Sequence, residues 1–148
     1  MHDVGLIGGT FDRFHAGHLA LMATGLSECS SIEAWVTADS MAQSKGPRVN
    51  PWEFRVMEIK EALGEDAGRV DFYVLEDSHG PAPSHPDATA IVCTDETRAE
   101  CEEINRLRGE GGLPPLHIIV SDHSLAWDGE PISSSRIRAG EIDREGYP

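Results

Sequence analysis

Short apolar runs recur along the chain, each stopped by glycine or polar residues, and segments with helical spacing lie between them. The runs expected to form buried strands are 4–7, 32–38, 70–75, 90–93 and 116–120. The spacing of apolar residues and the caps predict helices over 15–28, from Pro51 to Gly64, over 95–108, and from Ser133 to before Gly140. The expected N-caps are Asn50, Thr94 and Ser133. Strands that alternate with helices in this order form right-handed βαβ units.

This alternation predicts an α/β fold. Residues 1–148 are expected to form a single Rossmann-like domain, with a five-stranded parallel sheet and helices on both faces. A chain of this length buries about 70% of the surface of its unfolded form, which leaves room for one core and one cleft. Ligands of such sheets bind beyond the carboxyl ends of the strands. The segments expected to line one crevice there are 8–18, the loop after Ala38, 76–86, 94–97 and 133–138.

Charge and composition exclude several classes of partner. The 26 acidic and 12 basic residues give a formal net charge of -14, and no block rich in lysine and arginine reverses this charge locally. Such a surface repels nucleic-acid phosphates. No apolar run approaches the roughly 20 residues of a membrane span, and the three cysteines form no Cys-x-x-Cys pair. We therefore expect a cytoplasmic protein that binds neither nucleic acid nor membrane.

The first strand is joined to the first helix by a segment rich in glycine and histidine, Gly8-Gly9-Thr10-Phe11-Asp12-Arg13-Phe14-His15-Ala16-Gly17-His18. The glycines let the backbone approach a ligand, and the free N–H groups of a helix start attract an anion. A lone His-x-x-His is more often incidental than functional, but its context here favours a phosphate site. The segment matches neither the dinucleotide fingerprint nor the P-loop. Asp12 is expected to order this loop rather than to bind magnesium.

Two motifs resemble those of a known family. Gly9-Thr10-Phe11-Asp12 with His15-Ala16-Gly17-His18 is similar to the signature of the HxGH nucleotidyltransferases, and Ile132-Ser133-Ser134-Ser135-Arg136-Ile137-Arg138 resembles their second motif. Over nearly its whole length the chain resembles the archaeal and eukaryotic phosphopantetheine adenylyltransferases, for instance at Gly80-Pro81 and Asp95-Glu96-Thr97. Three positions depart from that pattern, namely His79, Ala82 and Ser135.

The resemblance implies a single nucleotidyltransferase domain that transfers the adenylyl group of ATP to 4'-phosphopantetheine. The products would be pyrophosphate and dephospho-coenzyme A. The resemblance further implies Mg²⁺ as the cofactor and a monomeric protein. A phosphate monoester has a second pKa of about 6 and is mostly dianionic at pH 7, so no general base is required. The residues must instead position and neutralise two polyanions.

The resemblance also implies roles for individual residues. His18 would contact the ATP phosphates at the transferring phosphorus, Thr10 and Lys45 would hold the acceptor phosphate, and Arg136 would bind the β and γ phosphates. The residues expected to bind the nucleotide are Gly9, Thr10, Phe11, His15, Glu96, Thr97, Ser133, Ser134 and Ser135. Helix capping explains Glu96 and Thr97 equally well. Arg138 is expected to point elsewhere and to pair with Glu141 or another carboxylate, and no residue is predicted as a metal ligand.

Two alternatives stay open. One is a sister nucleotidyltransferase: a nicotinamide mononucleotide adenylyltransferase, an FAD synthetase or a cytidylyltransferase. Gly129-Glu130-Pro131 counts against the last of these, because cytidylyltransferases usually have Arg-Thr before the second motif. The other is a nucleotide-binding module that has lost catalysis and senses ATP or coenzyme A. The presence of His15, His18, Lys45 and Arg136 argues against such a loss.

Overall fold

The computed structural model describes residues 1–43, 49–121 and 124–148. The strands are β1 (His2–Gly9), β2 (Cys29–Thr37), β3 (Val70–Leu75), β4 (Ala90–Cys93) and β5 (His117–Val120). The helices are α1 (Ala16–Glu28), α2 (Asp39–Ala42), α3 (Trp52–Leu63), α4 (Arg98–Glu110) and α5 (Ser134–Arg138). A 3₁₀ turn at Gly64–Arg69 leads from α3 into β3.

The five strands form one parallel sheet in the order β3-β2-β1-β4-β5. The chain builds the sheet outward from β1 through β2 to β3, then crosses back to place β4 and β5 on the other side of β1. This reversal lies between β1 and β4, where open α/β sheets bind their ligands. The predicted five-stranded parallel sheet is confirmed.

Helices cover both faces of the sheet, as predicted. On one face α1 and α3 pack over β1 and β2 through a core that includes Met22, Ile32 and Ile59. On the other face α4 packs over β4 and β5, and Leu6 and Ile104 belong to this second core. The carboxyl ends of the strands are left uncovered between these layers, and the crevice forms there.

The structure corrects two predicted helix starts. Helix α4 begins at Arg98 rather than at 95, because the chain first makes a turn in which the N–H of Thr97 donates to the carbonyl of Thr94. Asn50 does not cap α3: its N–H donates to Asp12, and the Asp39 carboxylate accepts from the N–H of Trp52 at 2.8 Å instead. Asp39 belongs to α2, a short helix within a segment predicted to be loop.

Two further observations concern expectations drawn from composition. In the part of the chain that the structure describes, no helix has the length and apolar character needed to cross a bilayer. The three cysteines, Cys29, Cys93 and Cys101, are buried free thiols. Burial raises the pKa of all three thiols, that of Cys101 to about 12, so at neutral pH they are protonated.

Candidate active site

The crevice consists of two adjoining cavities, a larger one of about 510 Å³ and a smaller one of about 270 Å³. They meet over the end of β1 and share the residues Gly8, Gly9, Thr10, Val92, Cys93 and Thr97. The larger cavity is lined mainly by the segment 8–18, the turn before α4 and the segment 131–138. Besides residues of β1 and β4, the smaller cavity is lined by side chains from β2, α2, α4, the end of β3 and the loop after β3. Each of the five segments predicted to face one crevice contributes lining residues, and the described part of the loop after Ala38 does so through Met41.

The loop after β1 is bent sharply around Asp12. Phe11 and Arg13 both adopt the left-handed backbone conformation, with φ of 54° and 51°, which side chains rarely tolerate without support. The support comes from the Asp12 carboxylate, which is 1% exposed. It accepts from the N–H of Asn50 at 2.9 Å, from Arg13 at 3.0 Å and from Arg138 at 2.7 Å. Asp12 thus orders the loop, as predicted.

His15 and His18 cap the N-terminus of α1 reciprocally. His15 Nδ1 accepts from the N–H groups of Gly17 (3.0 Å) and His18 (3.3 Å), and His18 Nδ1 accepts from the N–H of His15 (3.3 Å). A neutral imidazole that accepts at Nδ1 carries its proton on Nε2, which assigns this tautomer to both rings. A side chain at Gly17 would place its Cβ 2.9 Å from the His15 ring, so the capping geometry requires glycine there.

The environments of the two histidines differ. Burial, reinforced by the charge of Arg144, lowers the pKa of His15 to about 4, so this ring is neutral at pH 7. The His18 ring is stacked on His15 with centroids 3.6 Å apart and also contacts Phe11 and Phe14. Both rings line the larger cavity. His15 supports the loop, and the hydrogen bond and ring contacts of His18 fix its orientation on the wall of the larger cavity.

The three serines of the second motif line the larger cavity, where their predicted function places them. Ser133 caps α5, and its hydroxyl accepts from the N–H of Arg136. The Ser134 hydroxyl donates to the carbonyl of Asp12. This bond joins the two motifs, which lie more than 100 residues apart in the sequence, into one wall.

The structure reverses the positions expected for the two arginines of α5. Of these two, Arg138 lines the larger cavity, and Arg136 does not. Arg136 instead pairs with Asp128 at 2.5 Å and with Glu141 at 3.0 Å, and these carboxylates raise its pKa. Two residues on a helix are about 200° apart around its axis, so only one of the pair can face the crevice. The carboxylate that pairs with Arg138 is Asp12 rather than Glu141.

Three more predicted residues are placed as follows. Glu96 and Thr97 both line the larger cavity. Thr97 also hydrogen-bonds to the backbone of Thr94 within the turn, so its structural and its binding interpretations are compatible. Lys45, predicted to hold the acceptor phosphate, lies outside the described residues.

Sequence reasoning missed Arg55, whose side chain is fully buried beneath Thr10. The sequence contains a signal, because Arg55 lies three residues after Trp52 and four before Ile59 and so shares a helix face with these apolar side chains. An arginine on such a face requires buried acceptors. The sequence does not reveal that these acceptors belong to the end of β2 and to the loop after β1.

The structural role of Arg108, on α4, was also missed, because the sequence does not reveal the distant carbonyls to which this side chain donates. It is 1% exposed, and it donates to the carbonyls of Ala82, His85 and Pro114 at 2.8 to 2.9 Å. Burial lowers the pKa of Arg108. Through these bonds α4 holds the 76–86 loop in place, and this loop supplies one wall of the smaller cavity.

The smaller cavity has mostly apolar walls. The apolar side chains that line it include Leu6, Trp35, Leu75, Ala82, Ile91 and Ile104. Polar groups lie at Thr10 and Thr37, and a pair formed by His79 and Glu100, 3.4 Å apart, lines it as well. Such a cavity suits a largely apolar ligand with a polar group near Thr10. The described residues include no cluster of three or more His, Cys, Asp or Glu side chains that could hold a metal ion.

Comparisons with known proteins agree with this geometry. The cytidylyltransferase-like family model matches residues 6–140. The phosphopantetheine adenylyltransferase of Methanopyrus kandleri is 40% identical, over 93% of this chain and 89% of that protein. The phosphopantetheine adenylyltransferase of Methanothermobacter thermautotrophicus is 38% identical, over 95% of this chain and 86% of that protein. A crystal structure of a protein of unknown function from Archaeoglobus fulgidus matches with a TM-score of 0.71 and 26% identity, covering 88% of this chain and 99% of that one.

Proposed function

The chain belongs to the cytidylyltransferase-like family, among its phosphopantetheine adenylyltransferases, and on this premise we propose that it transfers the adenylyl group of ATP to 4'-phosphopantetheine. The products are pyrophosphate and dephospho-coenzyme A. The observation that carries the proposal is the pair of cavities that meet over the end of β1. One is lined by two helix starts with their histidines and serines, the other is lined mainly by apolar side chains, and Thr10 lines both.

The larger cavity takes ATP in this proposal. The start of α5 and its three serines offer donors to the β and γ phosphates, and Arg138 adds a positive charge beside them. Arg138 takes the role that the sequence motif suggested for Arg136, since it lines the cavity. Arg136 holds the preceding loop through Asp128 and Pro131.

The smaller cavity takes the pantetheine arm, with the acceptor phosphate at Thr10. An oxygen of this phosphate attacks the α-phosphorus of ATP, and the bond from that phosphorus to the bridging oxygen breaks as pyrophosphate leaves. His18 Nε2 donates to the α-phosphate as charge moves onto it and the leaving group. Because the acceptor is already dianionic at pH 7, no residue has to remove a proton. Lys45 is proposed to neutralise the acceptor.

Mg²⁺ is proposed as the metal cofactor, with most of its ligands supplied by the triphosphate, as is usual for nucleotide-bound magnesium. The chemistry it supplies is neutralisation of charge on the phosphates. Asp12, an acidic side chain that lines the larger cavity, is already engaged by Arg13, Arg138 and the N–H of Asn50. A cytoplasmic monomer stays a prediction of the sequence.

The test is pyrophosphate release from ATP and Mg²⁺, with 4'-phosphopantetheine, nicotinamide mononucleotide, FMN or no acceptor in parallel reactions. We expect release with 4'-phosphopantetheine alone. Release with another acceptor would retain the chemistry but overturn the substrate. If no acceptor leads to pyrophosphate release although ATP binding is measurable, catalysis is overturned and a sensing module is favoured.

A further inference from the structure

A buried network of hydrogen bonds lies under the junction of the two cavities and begins at Arg55. The side chain is 0% exposed, and all five of its N–H hydrogens are donated. The acceptors are the carbonyl of Asn50 (2.8 Å), the carbonyl of Thr10 (2.9 Å), the hydroxyl (3.2 Å) and carbonyl (2.8 Å) of Thr37, and the carboxylate of Asp39 (3.0 Å).

The chemistry of these groups fixes the direction of the network. A guanidinium donates and never accepts, so the Thr37 hydroxyl accepts from Arg55. The hydroxyl hydrogen of Thr37 then needs an acceptor of its own, and within the described ranges this acceptor is Thr10 Oγ1, 3.1 Å away. Thr10 Oγ1 accepts that hydrogen and retains its own hydrogen to donate. Since Thr10 lines both cavities, this donor is available where an anion would bind.

We propose that Arg55 and Thr37 are positioning residues that orient the Thr10 hydroxyl as a fixed donor to the acceptor phosphate. The inference rests on the proposed function for the identity of the anion. A hydroxyl that rotates freely must reorient when the phosphate arrives, whereas one already turned outward by Thr37 does not. Arg55 also holds the Thr10 carbonyl, so the backbone and the side chain of Thr10 are both fixed from below.

Thr37→Val tests the network, because valine has nearly the same shape and lacks the hydroxyl. We expect this variant to bind 4'-phosphopantetheine about tenfold more weakly, the effect of one hydrogen bond to a charged group. Thr37→Ser restores the hydroxyl and should bind within about twofold of the wild type. Because Thr37 also lines the smaller cavity, binding of pantetheine, which lacks the phosphate, should weaken much less than binding of 4'-phosphopantetheine in Thr37→Val. The KM for ATP should stay the same in both variants.

A double-mutant cycle with Thr10→Val separates orientation of Thr10 from a general structural effect. If Thr37 acts through the Thr10 hydroxyl, Thr37→Val should have no further effect on phosphopantetheine binding in the Thr10→Val background. The same loss in both backgrounds, or an equal loss for pantetheine, would overturn the proposal. Thermal unfolding of each variant reports whether the fold is intact.

Failure of the proposed function is recognised separately. If the wild-type protein binds 4'-phosphopantetheine no better than pantetheine and releases no pyrophosphate with it, the substrate assignment fails. The network is then tested with inorganic phosphate, titrated against each variant and followed by ³¹P NMR. Weaker phosphate binding by Thr37→Val than by Thr37→Ser supports the positioning role, and equal binding overturns it.

Discussion

The two cavities differ in how the chain builds them. The wall of the larger cavity that is proposed to bind phosphate comes from two short continuous segments, each of which enters a helix whose N-terminus lies at the site. The smaller cavity shares the ends of β1 and β4 with the larger one, and its other walls are scattered side chains from β2, α2, α4, the end of β3 and the loop after it. The difference matches the ligands proposed for them. Phosphates are bound by backbone N–H groups and short polar side chains, which a local motif can provide, whereas an apolar arm requires a shape made by distant residues.

The largest effect should come from the larger cavity. We expect His18→Ala to lower turnover by about two to three orders of magnitude, because it removes a donor to charge that develops during transfer. The KM values for both substrates should change little. The measurement is steady-state pyrophosphate release.

His117→Ala is the matched control for His18→Ala. His117 is an exposed histidine at the start of β5, where it stacks on His2 and lines neither cavity. Its replacement should leave turnover unchanged. Unchanged turnover in His18→Ala as well would remove His18 from the mechanism and would weaken the assignment of chemistry to the larger cavity.

The same difference explains what the sequence could predict. The bounds of β3 and β4 were predicted to the residue, and β5 to within one residue, because apolar runs are local signals. The nine residues predicted to bind the nucleotide all line the larger cavity. Their roles in binding stay predictions.

The remaining features depend on partners distant in sequence. Arg108 binds a carbonyl 26 positions away and Arg55 one 45 positions away. The periodicity of a helix shows that such an arginine lies on a buried face but not which carbonyls receive it. The predicted positions of Arg136 and Arg138 were wrong because a motif gives the order of residues and not the side of α5 that faces the crevice.

His15 tests whether the larger cavity is also a site of folding stability. Its pKa is about 4 in the folded chain and 6.5 ordinarily. Above pH 6.5 the imidazole is neutral in both states, and its contribution is complete. As the pH falls from 6.5 to 4, His15 is protonated in the unfolded chain but stays neutral in the folded chain. The free energy of unfolding therefore decreases, by at most about 3 kcal/mol. Below pH 4 the loss levels off.

The variant His15→Asn keeps a capping acceptor and lacks the titrating ring. Denaturant unfolding at pH 7.5, 5.5 and 4.5 should give a shallower decline for this variant than for the wild type. His117→Asn, which removes an exposed histidine that lines neither cavity, is the control for loss of an imidazole elsewhere on the chain. Equal slopes for the wild type and His15→Asn would mean that capping by His15 does not depend on its neutral form.

The arginines of α5 give a smaller and more selective effect. Arg138→Ala should weaken ATP binding about tenfold, through loss of a charged donor in the larger cavity. Because Arg138 also pairs with buried Asp12, thermal unfolding of the variant checks that the loop after β1 is intact. Arg136→Ala breaks pairs with Asp128 and Glu141 at the protein surface and should change ATP binding by less than about threefold. Calorimetric titration with ATP measures the loss of affinity in each variant. A larger loss in Arg136→Ala than in Arg138→Ala would restore the role that the motif suggested for Arg136.

The smallest effect should come from the smaller cavity, and it isolates the acceptor. Ala82 is 4% exposed and lines this cavity, while its carbonyl accepts from Arg108 whatever its side chain. Ala82→Val adds two methyl groups to the wall and should raise the KM for 4'-phosphopantetheine about fivefold, with the KM for ATP unchanged. Ala88→Val is the matched control, because Ala88 is equally buried in the same core cluster but lines neither cavity. Both valines strain the core to a similar degree. A raised acceptor KM in Ala82→Val alone would therefore locate the pantetheine arm, whereas equal KM values in the two variants would place it elsewhere.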